Sequence, residues 1–188
     1  MAPDDVGEVQ KRARVIAGPP QLAARLDAVV AATLCRRADP ATLFGDAREM
    51  REKVAAQYPG KNPWDLKYAP GGLMDIEFLA QILQLRHAHE NPSVLSTNTI
   101  AALKHLAKAG ALGEIEAEAL IAAAKLEHAL TQALRIALDG PLDAETATPG
   151  LKALLTRAGE VGDFAVLQKL LADLQARARQ IFERVLKG

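Results

Sequence analysis

An all-α fold is predicted by three observations. Ala, Leu, Gln, Glu, Lys and Arg dominate the chain, aromatic residues make up only 4% of it, and β-branched clusters are scarce. With 188 residues, 49% hydrophobic and 24% charged, the chain can bury a core and is too apolar for intrinsic disorder. The expected architecture is a bundle of about seven to eight helices. It is read as a single helical domain over 1–188, with one short extended segment at 61–72 ahead of a buried central helix.

The elements follow from punctuation and period. One helix is expected over Val6–Ala17, stopped by Gly18-Pro19-Pro20, and a second over Gln21–Arg37. Asp39-Pro40 reads as an N-cap followed by proline at the first helical position, opening a third helix that ends near Tyr58-Pro59-Gly60. From Lys61 to Gly72 the helical period stops. Pro63, Pro70 and Gly71-Gly72 interrupt it, and Trp64, Leu66 and Tyr68 alternate with Asp65 and Lys67, which predicts an extended stretch closed by a tight glycine turn. A fourth helix is expected over Leu73–His89, a fifth over Thr97–Ala109 beyond the Asn91-Pro92 break, and a long sixth over Gly113–Leu138. A loop from Asp139 to Thr148 leads to two more, Leu151–Ala158 and Asp163–Leu186.

Lys and Arg together number 23, as do Asp and Glu, so the formal net charge is zero. That balance argues against broad attraction to nucleic acid or an anionic membrane. No apolar run approaches the roughly 20 residues that cross a bilayer, and the polar start MAPDDVGEVQ is unlike a signal peptide. A soluble, reducing, cytoplasmic setting is expected. The single Cys35 excludes an internal disulfide and a two-thiolate zinc site, and its apolar neighbours suggest a buried, inert thiol.

The helix after the glycines carries Leu73, Ile76, Leu79, Ala80 and Leu83 on one side and Phe78, Ile82 and Leu85 on nearly the opposite side. A helix apolar on both sides is buried between neighbours. Its polar residues are few: Glu77, Gln81 and Gln84 form one stripe, and Asp75 and Arg86 lie on another edge. A carboxylate so placed requires a partner, because an isolated buried charge is too costly. Asp75 and Glu77 are separated by about 200° of rotation and cannot chelate one ion from a regular helix. In the first turn, both acids complement the macrodipole and the free N–H groups. Gly71-Gly72 fits either a backbone turn or a phosphate-approaching loop.

Other candidates have bland explanations. His87 and His89 point apart, while His105 and His128 are single histidines on helices. Ser93 and Ser96 suit N-cap duty for the next helix. Arg48, Arg51 and Lys53 read as a solvated helix face, with Glu49 and Lys53 as an i, i+4 pair. No phosphate-loop, dinucleotide or Asp-x-Asp motif is present, so the residues alone reach a helical domain with one unusual segment and no catalytic or metal-binding constellation.

That segment, Asp65-Leu66-Lys67-Tyr68-Ala69-Pro70-Gly71-Gly72-Leu73-Met74-Asp75-Ile76-Glu77-Phe78, followed by Gln81 and Leu85-Arg86-His87-Ala88, closely resembles a family signature. The signature is LK-x-x-PGGL-x-DIEF-x-x-Q of the glutamine synthetase adenylyltransferases. The likeness extends upstream to Arg48-Glu49-Met50-Arg51-Glu52-Lys53 and downstream to Ile181-Phe182-Glu183-Arg184. The resemblance implies a bifunctional parent enzyme with two nucleotidyltransferase halves, each a polymerase-β-type catalytic domain followed by a helical domain bearing this signature. One half transfers AMP from ATP to a tyrosine of glutamine synthetase, and the other removes it by phosphorolysis.

The chain would then be the helical domain alone, a fragment without catalytic or metal-binding residues. ATP and magnesium would serve the parent, with neither expected on this fragment, which would have no turnover of its own. The C-terminal, adenylylating half is favoured, because the last helix ends at Leu186-Lys187-Gly188 with no second catalytic domain after it. Implied partners are glutamine synthetase, the missing nucleotidyltransferase domain and a nitrogen-signalling regulatory protein; nucleic acid and membrane are not expected. Lys67, Gly71, Gly72, Asp75, Glu77 and Gln81 would lie at the inter-domain cleft. Lys67 would neutralise phosphate charge, the glycines would allow close backbone approach, and the acids would pair with a basic residue of the catalytic domain or orient the nucleotide. The alternative is a helical interaction module that docks glutamine synthetase or a regulatory protein.

Overall fold

The structure, a computed structural model, describes residues 15–187. Within them are seven α-helices and no strand: α1 Pro20–Leu34, α2 Pro40–Gln57, α3 Leu73–His87, α4 Thr99–Lys108, α5 Glu114–Ala137, α6 Pro149–Ala158 and α7 Phe164–Lys187, with a 3-10 turn at Pro92–Val94. This is the all-helical bundle class expected. Most of the helix expected over Val6–Ala17 lies outside the described residues, and 15–17 are not helical.

Side-chain caps set most helix starts. Asp39 accepts from the Thr42 N–H and hydroxyl at 2.9 and 2.8 Å, and these bonds hold its carboxyl below the usual range. Thr148 caps α6 by accepting from the Leu151 N–H, and Asp163 caps α7 by accepting from the Val166 N–H. The serines do not cap α4: Asn98 does so by accepting from the Ala101 N–H, while Asn91 caps the 3-10 turn. Asparagine places its acceptor carbonyl as serine does, and both asparagines stand directly before the turns they start. Cys35, at the C-cap of α1, is half-buried rather than buried.

Residues 61–72 form a succession of turns rather than a strand. The Asp65 carbonyl accepts from the N–H groups of both Tyr68 and Ala69, and the Ala69 carbonyl accepts from the Gly72 N–H. The alternation of Trp64 and Leu66 with polar residues marks burial, not a pleat. Both side chains enter one apolar core with Leu126, Leu130 and Ala133 of α5, Leu142, Leu155 of α6, and Leu167 and Leu171 of α7. Trp64 stacks on Phe164 with centroids 5.4 Å apart. Each large side chain removed from water here contributes roughly 1.5–3 kcal/mol. Asn62 anchors the segment by donating from Nδ2 to the Leu142 carbonyl at 2.6 Å and accepting from the Trp64 N–H at 3.0 Å.

The chain gathers into two compact units, one from residues up to Glu49 plus Phe78–Ala117, the other from Met50–Glu77 plus Glu118 onward. The core just described and the first turn of α3 belong to the second. In the first unit, Phe78, Leu79, Ala80, Ile82, Leu83 and Gln84 of α3 are all buried, as its two-sided apolar pattern predicts. Gln84 is satisfied there, donating to the Ala80 carbonyl and accepting from the Ser96 N–H at 2.7 Å.

Candidate functional site

The signature turn builds its own helix start. The Leu66 and Lys67 carbonyls accept from the Leu73 and Met74 N–H groups, so the segment's backbone satisfies donors that open the first turn of α3. Asp75, within that first turn, is fully buried. Its Oδ2 accepts from the Gly71 N–H at 2.7 Å and from Arg179 Nη1 at 3.1 Å, and its Oδ1 accepts from Arg51 Nε. The partner that burial demanded is thus a pair of arginines, one on α2 and one on α7. Arg51 also donates to the Tyr68 carbonyl at 3.4 Å. Burial opposes the charge on Arg179, but the Asp75 and Glu183 carboxylates more than offset it and raise its pKa.

Arg51 corrects the reading of α2 as a solvated basic face. It is only 6% exposed, whereas Arg48 and Lys53 are more accessible. A guanidinium can be buried there because the Asp75 carboxylate meets it.

Gly71 has φ of +81°, and a Cβ there would lie 1.9 Å from the Gln175 carbonyl oxygen. Gly72 is equally confined, its virtual Cβ lying 2.6 Å from the Leu66 carbonyl oxygen. In both cases the close approach is to this protein's own backbone. Gln175, on α7, extends the contact: its Nε2 donates to the Pro63 carbonyl at 2.9 Å and to Glu127 Oε1 at 3.1 Å.

Glu127, on α5, is 1% exposed, and its Oε2 has no partner among the described residues. Burial pushes its pKa up to about 8; the Gln175 amide opposes the shift, and the Asp75 charge adds to it. Glu127 is therefore protonated at neutral pH. A carboxyl raised from 4.5 in the unfolded chain to about 8 in the folded one gives stability that is complete below pH 4.5 and lost as pH rises towards 8. The loss should approach about 1.4 kcal/mol per pH unit. Urea midpoints at pH 5, 7 and 9 should fall steadily, and Glu127→Gln should flatten the profile and raise the value at pH 9.

Lys67 is exposed, with Nζ 4.9 Å from the Tyr68 ring centroid. Glu77 is half-buried and itself engaged in an interaction. Gln81, in the other unit, is half-buried, with Oε1 lacking a partner among the described residues. His105 and His128 are exposed. No group of three or more His, Cys, Asp or Glu among the described residues is placed to hold a metal ion. Asp75 is a poor magnesium ligand, because both oxygens are already taken by cations and a backbone N–H.

Local pattern does not find Arg51 and Arg179 as the partners of Asp75, since they lie 24 and 104 residues from it. The one signal in the sequence is the acid itself, whose place on a buried helix demands a cation without saying which.

The family model for GlnD PII-uridylyltransferase matches residues 47–183, a span that takes in every residue of this network. The chain belongs to that family. Over 177 residues, 94% of its length, it is 42% identical to the bifunctional glutamine synthetase adenylyltransferase/adenylyl-removing enzyme of Rhodopseudomonas palustris. It is 41% identical to the enzyme of that name from Bradyrhizobium diazoefficiens, over 177 residues, and 44% identical to that from Xanthobacter autotrophicus, over 176. In each case the chain spans 18% of the relative's length. Within this GlnD-type family member, no helix among the described residues is long and apolar enough to cross a membrane.

Proposed function

We propose that the chain is a non-catalytic helical domain of a bifunctional enzyme that transfers AMP from ATP to a tyrosine of glutamine synthetase and removes it by phosphorolysis. The observation that carries this reading is the division of labour in the signature. Asp75 is buried and held by Arg51 and Arg179, and Gly71 and Gly72 pack closely on the backbone of Gln175 and Leu66, while Lys67 is left exposed on the same turn. Nucleotidyl transfer, like other phosphoryl-type chemistry, depends on positioning and charge neutralisation. Lys67 supplies a cation to phosphate at the junction with a nucleotidyltransferase domain, with Glu77 and Gln81 assigned to that junction as well, and the buried network keeps the turn rigid. ATP and magnesium are held by the neighbouring domain, and no metal-dependent step is assigned to this chain. The adenylylating half, a cytoplasmic setting and inactivity of the chain by itself belong to the same reading.

The test is the adenylylation rate of the full-length enzyme. Lys67→Ala should lower it at least tenfold, which corresponds to about 1.4 kcal/mol of transition-state stabilisation, and Lys67→Arg should retain most of it. An unchanged rate in Lys67→Ala would contradict the role. A second reading, a module docking glutamine synthetase or a regulatory protein, is supported by α1, where Leu22, Leu26 and Val29 share one face and remain largely exposed. Capture of glutamine synthetase by this chain, lost in Leu26→Asp, would favour it.

A further inference from the structure

We propose that Glu127 and Gln175 form a proton-dependent latch on the first half of the signature segment: with its proton in place Glu127 keeps 61–66 closed on α5 and α7, and loss of that proton to solvent lets 61–66 open locally. The latch turns on one amide. Gln175 Nε2 donates to the Pro63 carbonyl at 2.9 Å and to Glu127 Oε1 at 3.1 Å, so a single α7 side chain ties the segment to α5. Just beyond Pro63, Trp64 and Leu66 pack among Leu126 and Leu130, which bracket Glu127 on α5.

The cluster holds no cation to spare for Glu127. Asp75 of α3 accepts from both Arg51 of α2 and Arg179 of α7, and Arg179 is shared further with Glu183. Two carboxylates therefore already balance two guanidinium groups. What acts on Glu127 itself is the neutral Gln175 amide from α7 and the negative charge of Asp75 from α3; Pro63 presents only a carbonyl, and His128, next to Glu127 on α5, is exposed. Oε2 has no partner among the described residues. Burial, with this second negative charge nearby, keeps the carboxyl protonated up to about 8. Once ionised, Oε2 needs water, and water reaches it only where a contact around it parts.

The contact that parts is 61–66. α5 and α7 are helices of 24 residues bonded along their own backbones, whereas 61–66 has turns alone, and local openings draw on such irregular segments. The second half of the segment is held separately, by the Gly71 N–H bond to Asp75 and the Arg51 bond to the Tyr68 carbonyl. Lys67 lies at the junction of the two halves, so the state of the latch sets where its ammonium stands. The opening is confined to one segment, unlike a pH-dependent loss of global stability, and it stands on burial and hydrogen bonding whatever chemistry Lys67 serves.

The test is amide hydrogen exchange of this chain at pH 6, 7, 8 and 9, with and without low urea, each rate corrected for its intrinsic value. Trp64 and Asp65 report on 61–66, since their N–H groups donate to Asn62 Oδ1 and to the Asn62 carbonyl, and Leu103, buried in α4, reports global unfolding. The opening constant at Trp64 and Asp65 should exceed that at Leu103, rise about tenfold from pH 6 to pH 7 and flatten beyond 8. It should hardly respond to urea, whereas exchange at Leu103 should accelerate with it. In Glu127→Gln, which keeps the shape of the protonated acid, the rise at Trp64 and Asp65 should vanish. The same opening constant and urea response at Leu103 as at Trp64 and Asp65 would overturn the latch, since Glu127 would then act on global unfolding alone. A flat pH profile in the unmodified chain, or a rise that persists in folded Glu127→Gln, would overturn it too.

Discussion

Replacing Asp75 with alanine is expected to lower the unfolding free energy by about 3–5 kcal/mol. The carboxylate is fully buried and accepts from two guanidinium groups and a backbone N–H. Removing it leaves Arg51, itself 6% exposed, as an uncompensated buried cation, and leaves the Gly71 N–H without its acceptor. Since a folded domain is stable by only about 5–15 kcal/mol, the variant should lie near the limit of folding. The effect should appear as a lowered urea midpoint. Arg179→Ala should cost much less, because that side chain is 35% exposed and water screens what remains. A loss below about 1 kcal/mol for Asp75→Ala would show that the carboxylate behaves as a surface ion.

Gly71→Ala is expected to cost about 3 kcal/mol or more, from two additive causes. The residue has φ of +81°, where a Cβ costs roughly 1–2 kcal/mol, and that Cβ would sit 1.9 Å from the Gln175 carbonyl oxygen. Backbone cannot rotate away as a flexible side chain can, so the turn must part from α7. That displacement strains the Gly71 bond to Asp75 and the Gln175 bonds to Pro63 and Glu127. For a chain of this size the melting temperature should fall by about 6–12 °C. Gly150→Ala is the control: nothing lies within 4 Å of its virtual Cβ and it sits in the first turn of α6, so the change should be neutral or slightly stabilising.

Much of the fold is legible in the sequence because local chemistry decides it. Asp39-Pro40 marks the start of α2, the two-sided apolar pattern marks α3 as buried, and the loop from Asp139 to Thr148 lies where its Gly-Pro pair puts it. The turns at 61–72 are not legible as turns, since alternation reports which side chains are buried, and Trp64 and Leu66 are buried without a strand. Within the candidate site, the need of Asp75 for a partner follows from burial alone. The partners themselves do not, since Arg51 and Arg179 are 24 and 104 residues away and only tertiary packing joins them. Glu127 and Gln175 carry no local signal either: each reads as an ordinary polar residue on a long helix. Lys67 stands out only through the signature that contains it.

A double-mutant cycle tests whether Asp75 and Arg51 act as one buried clamp that sets the signature turn. Urea unfolding of Asp75→Ala, Arg51→Met and the double variant should show that the pair together costs at least about 2 kcal/mol less than the sum of the single changes, because removing both charges relieves the burial penalty that either leaves behind. Additivity within about 0.5 kcal/mol would contradict the clamp.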